Sequence, residues 1–237
     1  MRTEKRPRFY FSLRSPYSWL AYRDLTEHFP DVADAAEWIP FWEPDETTSG
    51  LLAAARIELP IVAMSRAKNF YILQDVRRLT RTRGWDVTWP IDKDPVWEIP
   101  HLAYLLADDA GEGRRFIDLV YRARWQEGRD VSLRSTVAEI GDELGLDGDR
   151  LAAASDDPQL RERGVECLRA SWKEGLFGVP FFAYGRDKFF GLDRLRTWVA
   201  TVRGTDLDEV GASWWEHDVA PAFSEPGADG GPAGGCA

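Results

Sequence analysis

The chain has 237 residues, 44% of them hydrophobic and 30% charged, which is the make-up of a folded globular protein and not of a disordered one. Its 40 acidic against 30 basic residues give a formal charge of −10, the wrong sign for a surface that holds phosphates, so nucleic acid is not expected as a partner. No apolar run approaches the ~18–20 residues that span a bilayer, and the basic start Met1–Arg8 leads only into Phe9-Tyr10-Phe11-Ser12-Leu13, too short for a signal-peptide core. The expectation is a cytoplasmic protein with no membrane partner, built as one elaborated domain.

In chain order, the aromatic run from Arg8 to Leu13 reads as a strand. Ser15-Pro16 then offers an N-cap followed by proline at the first helical position, and the helix through Tyr17, Leu20 and Leu25 stops at Phe29-Pro30. A second strand is expected over Glu37–Trp42, with Pro40 marking an edge position or a bend. Strand, helix and strand at this spacing form a βαβ unit. From about Pro60 to Gly175 the apolar spacing turns helical, with segments at Ser65–Arg83, Ile99–Ala110, Arg114–Gln126 and Val137–Leu144. Thr136 with Glu139 reads as a capping box for the fourth, and Asp157-Pro158 opens a further helix that ends at Gly175. Strand signals return at Val179–Tyr184 and Lys188–Phe190 around a turn at Gly185–Asp187, and a last helix starts near Asp193. The fold class is therefore α/β: a thioredoxin-like core (βαβ … ββα) over 1–55 and 176–204, interrupted by an all-helical insertion over 56–175. Residues 205–223, with Trp214 and Trp215, form a C-terminal extension, and the glycine-rich 224–237 is expected to be a disordered tail.

The two cysteines, Cys167 and Cys236, form no C-x-x-C pair, and His28, His101 and His217 have no metal-ligand spacing, so no metal is expected. The 11 tryptophans either pack the core or line a flat aromatic pocket. In a thioredoxin-type core the reactive loop lies between the first strand and the first helix, here Arg14-Ser15-Pro16-Tyr17-Ser18. A helix N-terminus favours an anion, yet the residue offered is a serine, which can hydrogen-bond a thiolate but cannot form a disulfide. Ser15 is either that group or simply a helix cap. Opposite it, Gly178-Val179-Pro180 opens a strand where this fold places a cis-proline, and Asp193 is either an N-cap or a carboxylate for a ligand's ammonium group.

Four segments in order, Ser15-Pro16-Tyr17-Ser18-Trp19-Leu20, Ala67–Asp75, Trp125–Asp130, and Gly178-Val179-Pro180-Phe181 with Phe190-Gly191-Leu192-Asp193-Arg194, resemble the DsbA-like thioredoxin superfamily. Within it they resemble the 2-hydroxychromene-2-carboxylate isomerase and kappa-class glutathione transferase group. The resemblance implies glutathione or another low-molecular-weight thiol as cofactor, with Ser15 holding the sulfur. It implies that the backbone of Val179 before a cis Pro180 pairs with the cysteinyl part and Asp193 takes the ammonium. Lys68 matches a lysine near the site or is a surface lysine. Tyr17, Trp19, Trp42, Trp97 and Trp172 are candidates for a pocket that takes a planar small-molecule substrate. The implied activity is thiol-dependent cis–trans isomerisation of a conjugated carbonyl compound by reversible thiolate addition. The alternatives are a thiol transferase and a binding protein without catalysis, the last favoured by Leu192 and Trp172, which depart from the group's usual residues. A homodimer is implied as well. Disulfide exchange is excluded, because Ser15 and Ser18 stand where two cysteines are required.

Overall fold

The computed structural model describes residues 6–61 and 64–211. The chain opens with β1 (Pro7–Phe11), α1 (Pro16–His28), α2 (Pro30–Ala35) and β2 (Glu37–Pro40). Seven helices follow: α3 (Glu46–Ala54), α4 (Arg66–Thr82), α5 (Glu98–Asp109), α6 (Gly113–Trp125), α7 (Arg134–Glu143), α8 (Gly148–Ala152) and α9 (Pro158–Glu174). The chain then returns through β3 (Phe181–Tyr184), β4 (Asp187–Phe190) and α10 (Leu195–Arg203). The four strands make one mixed sheet in the order β2-β1-β3-β4, with β1 parallel to β2 and antiparallel to β3. This is the expected α/β core with a helical insertion, and no strand interrupts residues 65–170 among those described.

Alternation along β1 builds two layers. Phe9 and Phe11 face the main core, where Phe9 stacks on Phe182 at 5.0 Å and Phe182 on Trp198 at 4.8 Å. Tyr10 points to the other face, with Ile39, Leu176, Phe181 and Ala183. The main core is continuous with the insertion: Trp19 and Leu25 of α1 lie in the same apolar cluster as Leu102 of α5, Phe116 of α6 and Leu168 of α9. A buried bidentate ion pair, Arg83 at the end of α4 to Asp24 of α1 (3.0 and 2.9 Å), fastens the insertion to the core.

Several local expectations shift. β2 stops at Pro40 instead of Trp42, because β1 leaves the ladder: the Phe41 N–H still donates to the Phe11 carbonyl at 2.7 Å, but the Leu13 N–H that would come next goes to His101 Nε2. Helix α7 starts two residues before Thr136, with Leu133 as its cap residue. Thr136 is therefore buried inside the helix and caps nothing, and Glu139 pairs with Arg129. Asp193 is not an N-cap: a 3-10 turn over Leu192–Arg194 precedes α10. The hairpin turn is tighter than expected, with β4 already beginning at Asp187. Gly175 ends α9 in the left-handed conformation (φ 77°), the role read from its position. Of the expected C-terminal extension, the described part is a 3-10 turn over Leu207–Val210 with Val210 buried. Residues 212–237, with Trp214, Trp215 and the expected disordered tail, lie outside the described residues.

Candidate functional site

A cavity of about 500 Å³ opens between the β1–α1 loop, the segment that enters β3, and helices α4 and α6. Its size suits a small-molecule ligand. Ser15 and Val179 both line it, so the β1–α1 loop and the cis-proline segment face one cavity. The Val179–Pro180 bond is cis, as expected.

Ser15 is the N-cap of α1: its Oγ accepts the Ser18 N–H at 3.2 Å, and its carbonyl accepts the Trp19 N–H at 3.1 Å. The hydroxyl proton of Ser15 has no acceptor among the described residues and can be donated to a ligand. Capping and anion binding are thus compatible, because one uses a lone pair and the other uses the proton. Val179 adds a second free pair, since neither its N–H nor its carbonyl makes a hydrogen bond among the described residues. An extended, peptide-like ligand could satisfy both groups at once.

The loop is gripped from behind by the insertion. Leu13 N–H donates to His101 Nε2 at 3.0 Å, and His101 Nδ1 donates to the Trp97 carbonyl at 2.7 Å. An imidazole that accepts at one nitrogen is neutral, and burial pushes its pKa down to about 3. Tyr121 donates its hydroxyl to the Ser12 carbonyl at 3.0 Å, and Arg124 Nε donates to the Arg14 carbonyl at 3.4 Å. Arg124 also makes a bidentate pair with Asp92 (2.8 and 2.8 Å) and lies between the rings of Trp97 and Trp125. Arg14 pairs with Glu43. Both arginines at the cavity are thus matched by a carboxylate. Lys68, which also lines it, forms no ion pair among the described residues.

The aromatic candidates divide. Tyr17 lines the cavity, and its hydroxyl donates to Asp75 of α4 at 2.7 Å; burial and that carboxylate raise its pKa. Trp42 lines it too, held by an indole N–H donated to buried Glu98 (3.2 Å) and stacked on His101 at 5.1 Å. Trp19 and Trp97 do not line it. Trp19 is buried against Trp85 and Trp125, and Trp97 is buried beneath the Arg14 and Arg124 guanidiniums, so both support the site from behind. Trp172 is out of place as well: the core-facing stripe of α9 runs through Leu168 and Ser171, which leaves its neighbour Trp172 on the outer surface. Leu192 turns into the main core and is likewise absent from the lining. The exposed apolar wall is made instead by Phe41, Trp89, Phe177 and Phe190 beside Trp42, with Phe177 and Phe190 in ring contact at 4.6 Å.

Pro180 and Asp193 are not lining residues. The Asp193 side chain is 69% exposed, and one carboxylate oxygen lies 2.7 Å from where a Cβ on Gly191 would stand. Its other oxygen lies 3.5 Å from the Arg194 Nε. Sequence reading overlooked His101, Tyr121 and Arg124. The available signal was a histidine set among Ile99, Leu102 and Ala103 on a helix with no polar face to explain it. The described cysteine, Cys167, is away from the cavity, with its thiol pushed up to about 11 by burial.

Residues 8–203 match the family model of the DSBA-like thioredoxin domain. Among curated proteins, the chain is 24% identical over 191 residues to the 2-hydroxychromene-2-carboxylate isomerase of Pseudomonas putida, covering 79% of this chain and 89% of that one. It is 24% identical over 188 residues to the protein of the same name from Sphingobium xenophagum, covering 79% and 92%. A solved structure of a 2-hydroxychromene-2-carboxylate isomerase superposes with a TM-score of 0.64 at 22% identity, over 84% of this chain and 94% of that chain. A probable DsbA oxidoreductase from Streptomyces coelicolor superposes at 0.60 with 18% identity, over 86% and 92%. At these identities the two structures establish the shared fold.

Proposed function

The chain belongs to the DSBA-like thioredoxin family, and from that premise we propose that it is an isomerase that uses a bound low-molecular-weight thiol, glutathione or a relative, to interconvert geometric isomers of a planar conjugated carbonyl compound. The observation that carries this reading is the cavity lined by both Ser15 and Val179: it holds a hydroxyl with its proton free, and a backbone N–H and carbonyl with no partner among the described residues. These groups fit a peptide-like thiol. Val179 would hold its cysteinyl backbone, Ser15 would donate to its sulfur, and Asp193, turned back over Gly191, would take its ammonium group.

When bound, the thiol supplies a sulfur nucleophile whose C–S bond to the substrate turns a double bond into a single one and whose departure restores it in the other geometry. The protein's part is electrostatic and steric. The Ser15 proton and the N-terminus of α1, a 13-residue helix, favour a negative charge at the loop. The matched pairs Arg14–Glu43 and Arg124–Asp92 keep the cavity from being swamped by fixed positive charge, which would hold an anion too tightly to release it. Lys68 is left free to meet an anionic group on the substrate. Trp89, Phe177 and Phe190 supply exposed apolar surface for a conjugated ring, with Trp42 buried behind them. The names of the relatives support an isomerase and supply the test compound.

Purified protein should isomerise 2-hydroxychromene-2-carboxylate when glutathione is added and be nearly inactive without it. Equal rates with and without thiol would reject the thiol role. Accumulation of a stable thiol adduct in place of turnover would convert the reading to a transferase.

A further inference from the structure

The grip of the insertion on the β1–α1 loop is more specific than packing requires. Three consecutive loop residues are each held by a different insertion side chain: the Ser12 carbonyl by the Tyr121 hydroxyl at 3.0 Å, the Leu13 N–H by His101 Nε2 at 3.0 Å, and the Arg14 carbonyl by Arg124 Nε at 3.4 Å. The next residue is Ser15, whose own N–H returns to the Ser12 carbonyl at 3.0 Å. Ser12 Oγ, within 3.5 Å of His101 Nε2, accepts the Arg14 N–H, and the Ser12 N–H donates to Ser18 Oγ in the first turn of α1. Nearly every backbone polar group before the helix is therefore fixed, and the loop has little freedom to reorient.

We propose that His101 is a positioning residue for Ser15, an imidazole from the helical insertion that fixes the loop bearing the Ser15 hydroxyl, with Tyr121 and Arg124 completing the hold. The inference rests on the reading of Ser15 as the group that meets the ligand's sulfur. A plain core role explains it poorly. An apolar side chain of similar size would fill the space between Trp42 and Trp97 as well, whereas a histidine there must be desolvated and held neutral. Its two nitrogens are both used, one to hold the loop and one to anchor itself to the Trp97 carbonyl. That bond fixes the tautomer, since Nδ1 must carry the proton for Nε2 to accept. The neighbouring groups suit the neutral form: the Arg124 guanidinium is the charge beside it, and the Ser12 and Tyr121 hydroxyls need no charged partner.

The test uses the full-length protein with His101→Leu, which keeps apolar volume but removes the acceptor, and His101→Gln, whose amide oxygen can replace Nε2. Amide hydrogen exchange of residues 12–15 reads the hold without any thiol or substrate. His101→Leu should speed exchange at Leu13 and Ser15 at least about tenfold relative to core strand amides, the size of a lost hydrogen bond, and His101→Gln should restore most of it. In the isomerase assay, His101→Leu should lower kcat by a similar factor with KM for 2-hydroxychromene-2-carboxylate nearly unchanged, again with recovery in His101→Gln. If His101→Leu is poorly folded, Tyr121→Phe, which deletes one hydroxyl, must show the same local rise in exchange. Unchanged exchange at 12–15 in a folded His101→Leu, or in Tyr121→Phe where His101→Leu does not fold, would overturn the proposal. A rise that His101→Gln does not reverse would also overturn it. If exchange responds as stated but the wild type has no thiol-dependent activity, the hold stands and the thiol reading fails.

Discussion

Replacing Ser15 with alanine separates the two jobs of one hydroxyl. As a cap, its oxygen accepts a single N–H, from Ser18 at 3.2 Å, and losing such a cap costs about 1 kcal/mol. The helix keeps its other start signals: Pro16 remains at the first position and the Ser15 carbonyl still accepts the Trp19 N–H at 3.1 Å. For a protein of this length the melting temperature should fall by roughly 2–4 °C, with a native circular dichroism spectrum. As a donor to sulfur, the same hydroxyl makes a hydrogen bond to a charged group, worth about 1.5–3 kcal/mol, or on the order of tenfold to a hundredfold in rate. The assay is kcat for isomerisation at saturating glutathione, beside a thermal melt of the same preparation. A variant that melts a few degrees lower yet turns over at the wild-type rate would show that Ser15 only caps its helix.

Three further outcomes follow from the same geometry. Arg83→Met should destabilise the fold by about 3–5 kcal/mol in urea denaturation, because it leaves the buried Asp24 carboxylate without its guanidinium. Burial holds the folded His101 pKa at about 3, below the ~6.5 of an unfolded chain. The unfolded chain takes the proton first, so stability should be lost as pH falls from about 6.5 toward about 3, and His101→Gln should flatten that part of the pH–stability curve. Asp193→Asn should weaken glutathione binding by calorimetry while leaving the bound thiol's titration midpoint where it was, because its carboxylate lies over Gly191 and outside the cavity wall.

Where local chain chemistry decides, the sequence was readable. Ser15-Pro16 announced the start of α1, and Gly178-Val179-Pro180 announced the cis bond; Ser15 and Val179 line one cavity. The aromatic run of β1 announced a strand but not its central place, which comes from its pairing with both β2 and β3. The short helix α3 was missed because Glu43-Pro44-Asp45-Glu46-Thr47-Thr48-Ser49 has no apolar periodicity. Its start is held by the Thr48 N–H donated to Asp45 Oδ1 at 2.8 Å, and by distant residues, Arg161 on Asp45 and Thr48 and Glu98 on the Asp45 N–H. Tryptophan content could not say which rings face the cavity, since Trp19 and Trp42 differ only in where the fold turns them. The hold on the loop was out of reach for a different reason: Leu13 and His101 are 88 residues apart, and only the closing of the insertion over the core brings them together.

Whether the protein stabilises a thiolate it does not itself own is read from the ultraviolet absorbance of the thiolate, followed against pH with glutathione bound to the wild-type protein. Ser15 and the α1 N-terminus should move the bound thiol's midpoint clearly below that of free glutathione, and Ser15→Ala should move it back upward. A bound midpoint equal to or above the free value would rule out thiolate stabilisation by Ser15 and the helix.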